Sequence, residues 1–297
     1  MEAEPLPLIV IVGPTGAGKT ALALERAAAL GSEIVSADSV QVYRGLDIGS
    51  AKPTLAERAA VPHHLIDLWE PTVQANAGAW VDAAIPVIAA IHARGRVPII
   101  CGGTGLYVRA LLEGLAPIPD VPPEIQASVR ARLASEGSPA LHAELALSDP
   151  DAAARLAPND GQRVSRALEV VIASGEPLSV FHARHREARA ALSPRYAATL
   201  VGVFPDFSVL EQRIAARAQR MIADGLVDEV RGLLAAGVPA RAAGLRTMGY
   251  REVVDHLTVA PQPLAALTSA LASAHRRYAK RQLTWWRDTR FDERLGA

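Results

Sequence analysis

Gly13-Pro14-Thr15-Gly16-Ala17-Gly18-Lys19-Thr20 directly follows the apolar run Leu8-Ile9-Val10-Ile11-Val12 and precedes the helix-forming stretch Ala21 to Leu30, which closes on Gly31. This is a G-x-x-x-x-G-K-[ST] phosphate loop between a strand and a helix. The three glycines let the chain wrap closely around phosphate oxygens, while backbone N–H groups and the helix N-terminus attract negative charge. Lys19 adds a mobile cation, and Thr20 is placed to hold Mg²⁺. The ligand implied is a diphosphate or a triphosphate.

Outward from that loop, strand patterns at Glu33–Ser36, Val97–Cys101 and Ala198–Phe204 alternate with helical ones, including a helix from about Ala77 to Arg94. Such alternation predicts an α/β core with a parallel sheet. From Pro117 to Pro194 the strand signal is replaced by the helix-compatible segments Pro123–Glu136, Ser138–Leu147, Asp149–Leu156 and Asp160–Ser174. A helical insertion domain over 118–194 is therefore expected within a core made of 1–117 and 195–297. Pro117, Pro119, Pro122 and Pro123 make its entry stiff and non-helical. Helices are expected again at about Ser208–Ala223, Val227–Ala236 and Pro263–Arg287.

Half of the 297 residues are apolar, and 31 Lys and Arg balance 31 Asp and Glu. A chain of that size and composition builds its core without staples, and no apolar run approaches a membrane span. Glu2 and Glu4, followed at once by a strand, leave no room for a cationic signal segment, so a cytoplasmic protein without membrane partners is expected. Cys101 is the only cysteine and ends an apolar strand, which suggests a buried thiol. Zero net charge argues against a surface coated with positive potential, yet two basic stretches stand out. One holds Arg163, Arg166, His182, Arg184, His185, Arg186, Arg189 and Arg195. The other runs through Arg276, Arg277, Lys280, Arg281, Arg287 and Arg290 with Tyr278, Trp285 and Trp286 interleaved. Each suits either nucleic acid or plain solvent.

The second strand delivers Asp38 and Ser39 to its carboxyl end, the edge where ligands bind in open α/β sheets. There Asp38 either serves the bound ligand chemically, or caps a turn or holds Mg²⁺ through water. The polar loop from Gln41 to Pro53 is long enough to wall a site. His63 and His64 are adjacent, without a further ligand at helical spacing, and make a poor metal site. Gly102-Gly103-Thr104-Gly105 carries no acid where a motor ATPase places one, which speaks against water activation. Arg213, Arg217 and Arg220, spaced by four and three, line one helix face and either clamp phosphate oxygens or meet solvent.

Together with the phosphate loop, the segments Asp38–Pro53, Pro62–Asp67 and Gly102–Tyr107 resemble the tRNA dimethylallyltransferase family. Asn159–Glu169, Met248-Gly249-Tyr250-Arg251 and Lys280-Arg281-Gln282-Leu283-Thr284-Trp285 extend the likeness over nearly the whole chain. The resemblance implies a P-loop NTPase-like core and transfer of a dimethylallyl group from dimethylallyl diphosphate to the exocyclic amine of the adenine beside the anticodon. It gives the diphosphate to Gly13, Pro14, Thr15, Gly16, Ala17, Gly18, Lys19, Thr20 and Arg217. Asp38 becomes the base, and Thr15, Lys19 and Arg217 act with it. Contacts to the tRNA anticodon stem-loop fall to Asp38, Ser39, Val40, Gln41, Thr104, Gln162, Arg163, Val164, Ser165, Arg166, Arg246, Arg251 and Arg281. Mg²⁺ on Thr20 and a monomer complete the expectation.

Departures from the family pattern are few. Gly16-Ala17 stands where many members have Ala-Ser, Trp80 replaces a typical phenylalanine, and a compact bacterial-type member without the zinc-finger tail of eukaryotic ones is expected. A small-molecule kinase or a nucleotide-switched RNA-binding module would use many of the same parts. The kinase would need ATP, and the binding module would leave Asp38 dispensable.

Overall fold

The computed structural model describes residues 4–296. Leu6–Val12 forms β1, and the phosphate loop then turns into α1, Lys19–Leu30. Next come β2 (Ile34–Ser36), α2 (Leu55–Ala60), β3 (His63–His64), α3 (Ala77–Ala93), β4 (Ile99–Gly102) and α4 (Gly105–Glu113). A run of five helices follows: α5 (Pro123–Glu136), α6 (Ser138–Ser148), α7 (Pro150–Arg155), α8 (Gly161–Ser174) and α9 (Leu178–Ala190). The chain then adds β5 (Tyr196–Val203), α10 (Phe207–Ala223), α11 (Leu226–Ala235), α12 (Tyr250–Thr258), α13 (Leu264–Trp285) and β6 (Glu293–Leu295).

Six parallel strands form one sheet in the order β3-β2-β4-β1-β5-β6. β1 lies at its centre, bonded to β4 on one side and β5 on the other, and a core cluster covers each of its faces, so its residues are apolar almost without a break. Ile9 pairs with Ile99 and with Thr199, which sets the register of the central strands. Leu8, Val10 and Val12 point into a large cluster with Trp80, Ile88 and Tyr250, whereas Ile11 points to the opposite face with Ala23, Ile99 and Val201. In α3 the indole of Trp80 is fully buried, stacks on Tyr107 at 4.9 Å and donates to the Ser36 carbonyl at 3.0 Å.

Residues 1–112 and 194–297 make one compact unit, and residues 113–193 make a second. The second unit is wholly helical among its described residues and has its own core, with Val129, Leu141, Leu145, Val164 and Leu168 buried together. Asp149 ties its helices, accepting from Ala152 N at the start of α7 and from Ser179 N in α9. No helix among the described residues is long and apolar enough to cross a membrane.

Candidate active site

The side chains around the phosphate loop belong to the sheet-containing unit. In a parallel sheet every strand sends its carboxyl end to the same edge, and that edge here gathers the phosphate loop, Asp38 and the Gly102–Thr104 turn. Gly13 has φ of 151°, and a Cβ there would stand 2.2 Å from the Val203 carbonyl oxygen, so only glycine fits between β1 and β5. Gly18, at φ 100°, turns the chain into α1. The Lys19 ammonium donates to the Pro14 carbonyl at 2.8 Å, folding its side chain back over the loop.

Charge in this site is unbalanced. Burial holds the Lys19 ammonium below its ordinary pKa, with Asp38 opposing the shift and Arg217 adding to it. Burial likewise lowers Arg217, whose Nε–H has no partner, and again Asp38 opposes. Two desolvated cations thus share one nearby carboxylate, an arrangement that favours a bound anion. Arg217 reaches the Ser50 carbonyl at 3.3 Å, while Arg213 donates to the Ala17 carbonyl of the loop at 3.2 Å. Arg220 is exposed, and with Arg217, Lys52 and Arg58 it lines a cleft of about 710 Å³. Of the three arginines on this helix, Arg213 and Arg220 are exposed and Arg217 is partly buried.

Of the readings open for Asp38, the turn cap is the one its contacts display. Its Oδ1 accepts from Val40 N at 2.8 Å and Gln41 N at 3.3 Å, capping the turn after β2, and among the described residues no hydrogen bond occupies Oδ2. Ser39 N donates to the Thr104 hydroxyl at 3.0 Å, and Thr104 N donates to the Ala37 carbonyl at 3.2 Å, so the ends of β2 and β4 are fastened together. The loop that follows is anchored by side chains from α11 and α12. Glu229 accepts from the backbone amides of Asp47 and Ile48, and Tyr250 donates to Glu229 at 2.7 Å while accepting from Gly49 N at 3.0 Å. The Lys52 ammonium is saturated by the Tyr43 carbonyl, Asp47 and Asp67.

Three side chains of α13 reach this edge without any signal in residue spacing. Gln282 bonds both Thr15 and Gly103. Tyr278 interacts with Thr104 and Gln282, and burial followed by the Asp38 charge pushes its phenol up to about 12. His275 is 1% exposed, donates from Nδ1 to the Leu271 carbonyl and leaves Nε2 unpartnered; burial, then Arg217, lowers it to about 4. Cys101, expected as a buried thiol, is only partly buried, and its desolvation pushes the thiol up to about 11.

Several expected RNA contacts take other positions. Val164 is fully buried in the core of the helical unit and Ser165 is also buried, because the 3.6-residue period of α8 turns them away from solvent. Gln162, Arg163 and Arg166 remain exposed on that helix. The Gln41 amide turns inward, accepting from the Ser36 hydroxyl and donating to the Ser50 and Ala51 carbonyls. Val40 packs against the core, whereas Arg246, Arg251 and Arg281 are exposed. His63 and His64 bind no common centre: His64 meets Glu33 at 2.7 Å and His63 meets the Val61 carbonyl. No group of three or more His, Cys, Asp or Glu placed to hold a metal occurs among the described residues.

The profile of the IPP transferase family matches residues 41–289, and that of isopentenyl transferases matches residues 6–67. A tRNA dimethylallyltransferase of Geobacter metallireducens is 46% identical over 286 residues, covering 96% of this chain and 91% of the relative. One from Sorangium cellulosum is 48% identical over 291 residues, covering 96% and 90%. Among solved structures, the tRNA isopentenylpyrophosphate transferase of Bacillus halodurans superposes with a TM-score of 0.69 at 37% identity, covering 97% of this chain and 89% of that one. A eukaryotic dimethylallyltransferase, captured acting on tRNA, superposes with a TM-score of 0.77 at 26% identity over 95% of this chain and 70% of its own.

Proposed function

We infer that this chain, which belongs to the tRNA dimethylallyltransferase family, is a prenyltransferase that modifies tRNA, moving a dimethylallyl group from its diphosphate to the N6 amine of the adenine 3′ to the anticodon. The observation that carries the reading is the pair of partly buried, desolvated cations, Lys19 and Arg217, beside the phosphate loop with one carboxylate for company.

In this reading the diphosphate is the leaving group. As its bond to the allylic carbon breaks, negative charge grows on the bridging oxygen, and the loop amides, Lys19 and Arg217 absorb it. The same charge compensates both cations for their desolvation. Adenine N6 is a weak nucleophile because its lone pair is delocalised into the ring. The free oxygen of Asp38 orients the amine and takes its proton as the new C–N bond forms.

Mg²⁺ suits this donor set. Thr20 supplies one hydroxyl in the first turn of α1, and a magnesium ion normally completes its shell with substrate phosphates and waters rather than with a cage of side chains. Its contribution when bound is further neutralisation of the leaving diphosphate.

On the RNA side, the reading assigns the exposed Gln162, Arg163 and Arg166 of α8 to the anticodon stem-loop, and Arg246, Arg251 and Arg281 in the sheet-containing unit to the same partner. The target base must leave its stack to reach Asp38. A cytoplasmic monomer is the working form proposed. Mass spectrometry of unmodified tRNA incubated with the chain, Mg²⁺ and dimethylallyl diphosphate tests the activity. A dimethylallyl mass gain on that adenine, absent when ATP replaces the prenyl donor, is the expected result; no gain, with ATP consumed on a small acceptor, would overturn it.

A further inference from the structure

We propose that Gln282 is a positioning residue that registers the leaving-group loop against Asp38, an inference that rests on the transferase reading. Its side-chain amide spans two loops that are 88 residues apart in sequence (Thr15 and Gly103). Oε1 accepts from Thr15 N at 2.8 Å, and Nε2 donates to the Gly103 carbonyl at 2.9 Å. Both contacts are buried, and the residue is 5% exposed. Only one orientation of the amide satisfies both partners, since the Thr15 nitrogen can only donate and the Gly103 carbonyl can only accept.

The connection continues to the catalytic carboxylate. Gly103 is followed by Thr104, whose hydroxyl accepts from the backbone of Ser39, the neighbour of Asp38. A Cβ on Gly103 would stand 2.1 Å from Gln282 Nε2, so the glycine is what admits the bridge. Tyr278, one turn earlier on α13, interacts with both Thr104 and Gln282 and steadies the junction. Because the Thr15 amide is committed to Gln282, its hydroxyl is the group that residue has left to offer a bound diphosphate. The side chain touches neither reacting atom. It sets the distance between the bond that breaks at the loop and the base that removes the proton, and an offset of about 1 Å in such a distance costs roughly 100-fold in rate.

Gln282→Met, of similar volume, removes both hydrogen bonds, and Gln282→Glu keeps the acceptor while losing the donor. Single-turnover transfer, dimethylallyl diphosphate affinity and thermal unfolding are measured on each. Gln282→Met is expected to lower kcat on the order of 10- to 100-fold, with donor Kd and tRNA KM within about threefold of wild type. Gln282→Glu is expected to be as slow at pH 8 and to recover towards pH 6, because the protonated acid again accepts from Thr15 and donates to Gly103; wild type shows no such recovery. Should Gln282→Met fail to fold, the pH response of Gln282→Glu decides. A folded Gln282→Met with unchanged kcat, a loss confined to donor Kd, or a pH-insensitive Gln282→Glu overturns the role of Gln282 alone. A wild-type chain that transfers nothing to tRNA overturns the transferase reading, and the role in transfer with it.

Discussion

The hydroxyl of Thr104 lies 3.0 Å from the backbone nitrogen of Ser39 and accepts its hydrogen. β4 and β2 are thereby joined where both leave the sheet, one residue away from the carboxylate assigned as base. Thr104→Val keeps the shape and removes the acceptor. Its kcat is expected to fall about tenfold through displacement of Asp38, with Thr104→Ser restoring most of it, as read by single-turnover transfer.

Asp38→Asn separates the two jobs of that residue. The amide oxygen still caps Val40 and Gln41, so the fold and donor affinity should hold, while proton acceptance is lost. Turnover should drop by about 10²- to 10⁴-fold. Rapid-quench transfer together with dimethylallyl diphosphate titration checks both halves.

Arg217→Gln tests the anion site. Charge-assisted hydrogen bonds contribute about 1.5–3 kcal/mol, so the affinity for inorganic diphosphate should weaken by roughly 10- to 100-fold, as measured by calorimetry. Arg220→Gln, on the exposed side of the same helix, should change it by less than about threefold.

Tyr250→Phe should cost about 1–3 kcal/mol in denaturant unfolding, because Gly49 N–H and the Glu229 carboxylate lose a shared buried partner. The loss falls on the 47–51 wall of the site, so Arg217, which bonds Ser50, should register it as weaker donor binding.

Acid stability should fall in two windows. His275 is lowered to about 4 by burial, so the stability gained by keeping it neutral is present above its unfolded value of about 6.5 and is lost as pH falls towards 4. Glu33 is held at about 2, chiefly by its hydrogen bond to Arg94 and also by His64 and Arg96; its contribution is present above about 4.3 and disappears as pH falls through 2. Glu33→Gln should flatten the lower window and leave the upper, as followed by unfolding at stepped pH.

The phosphate loop, the central strands and most helices were legible because each carries a local signal: apolar continuity for β1, β4 and β5, a capped amphipathic period for α8 and an amphipathic period for α10. Elements without such a signal escaped. β3 is two histidines, and β6 is Glu-Arg-Leu, exposed throughout and strand-like only because β5 offers it a parallel edge. α9 buries little beyond Ser179 and reads as a basic patch. α12 follows a turn and presents Tyr250 to Gly49, 201 residues earlier. Within the site, Asp38 and Lys19 sit at positions that motif and strand order single out. Gln282, Tyr278 and His275 share one face of a long helix, and nothing short of tertiary packing brings that face to the strand ends.

The central strand has a consequence for synthesis on the ribosome. β1 takes β4 as one neighbour but must wait for β5, whose first residue, Tyr196, lies 94 positions after Gly102 at the end of β4. At about 5–20 residues per second, one edge of the most apolar strand stays open for roughly 5–20 s in every nascent chain. During that interval the helical unit, which needs no strand partner for its own core, emerges and can pack first. Translation order thus leaves the phosphate loop half framed until β5 arrives, and slowing or splitting the chain between 113 and 193 should expose an unpaired β1 edge to aggregation.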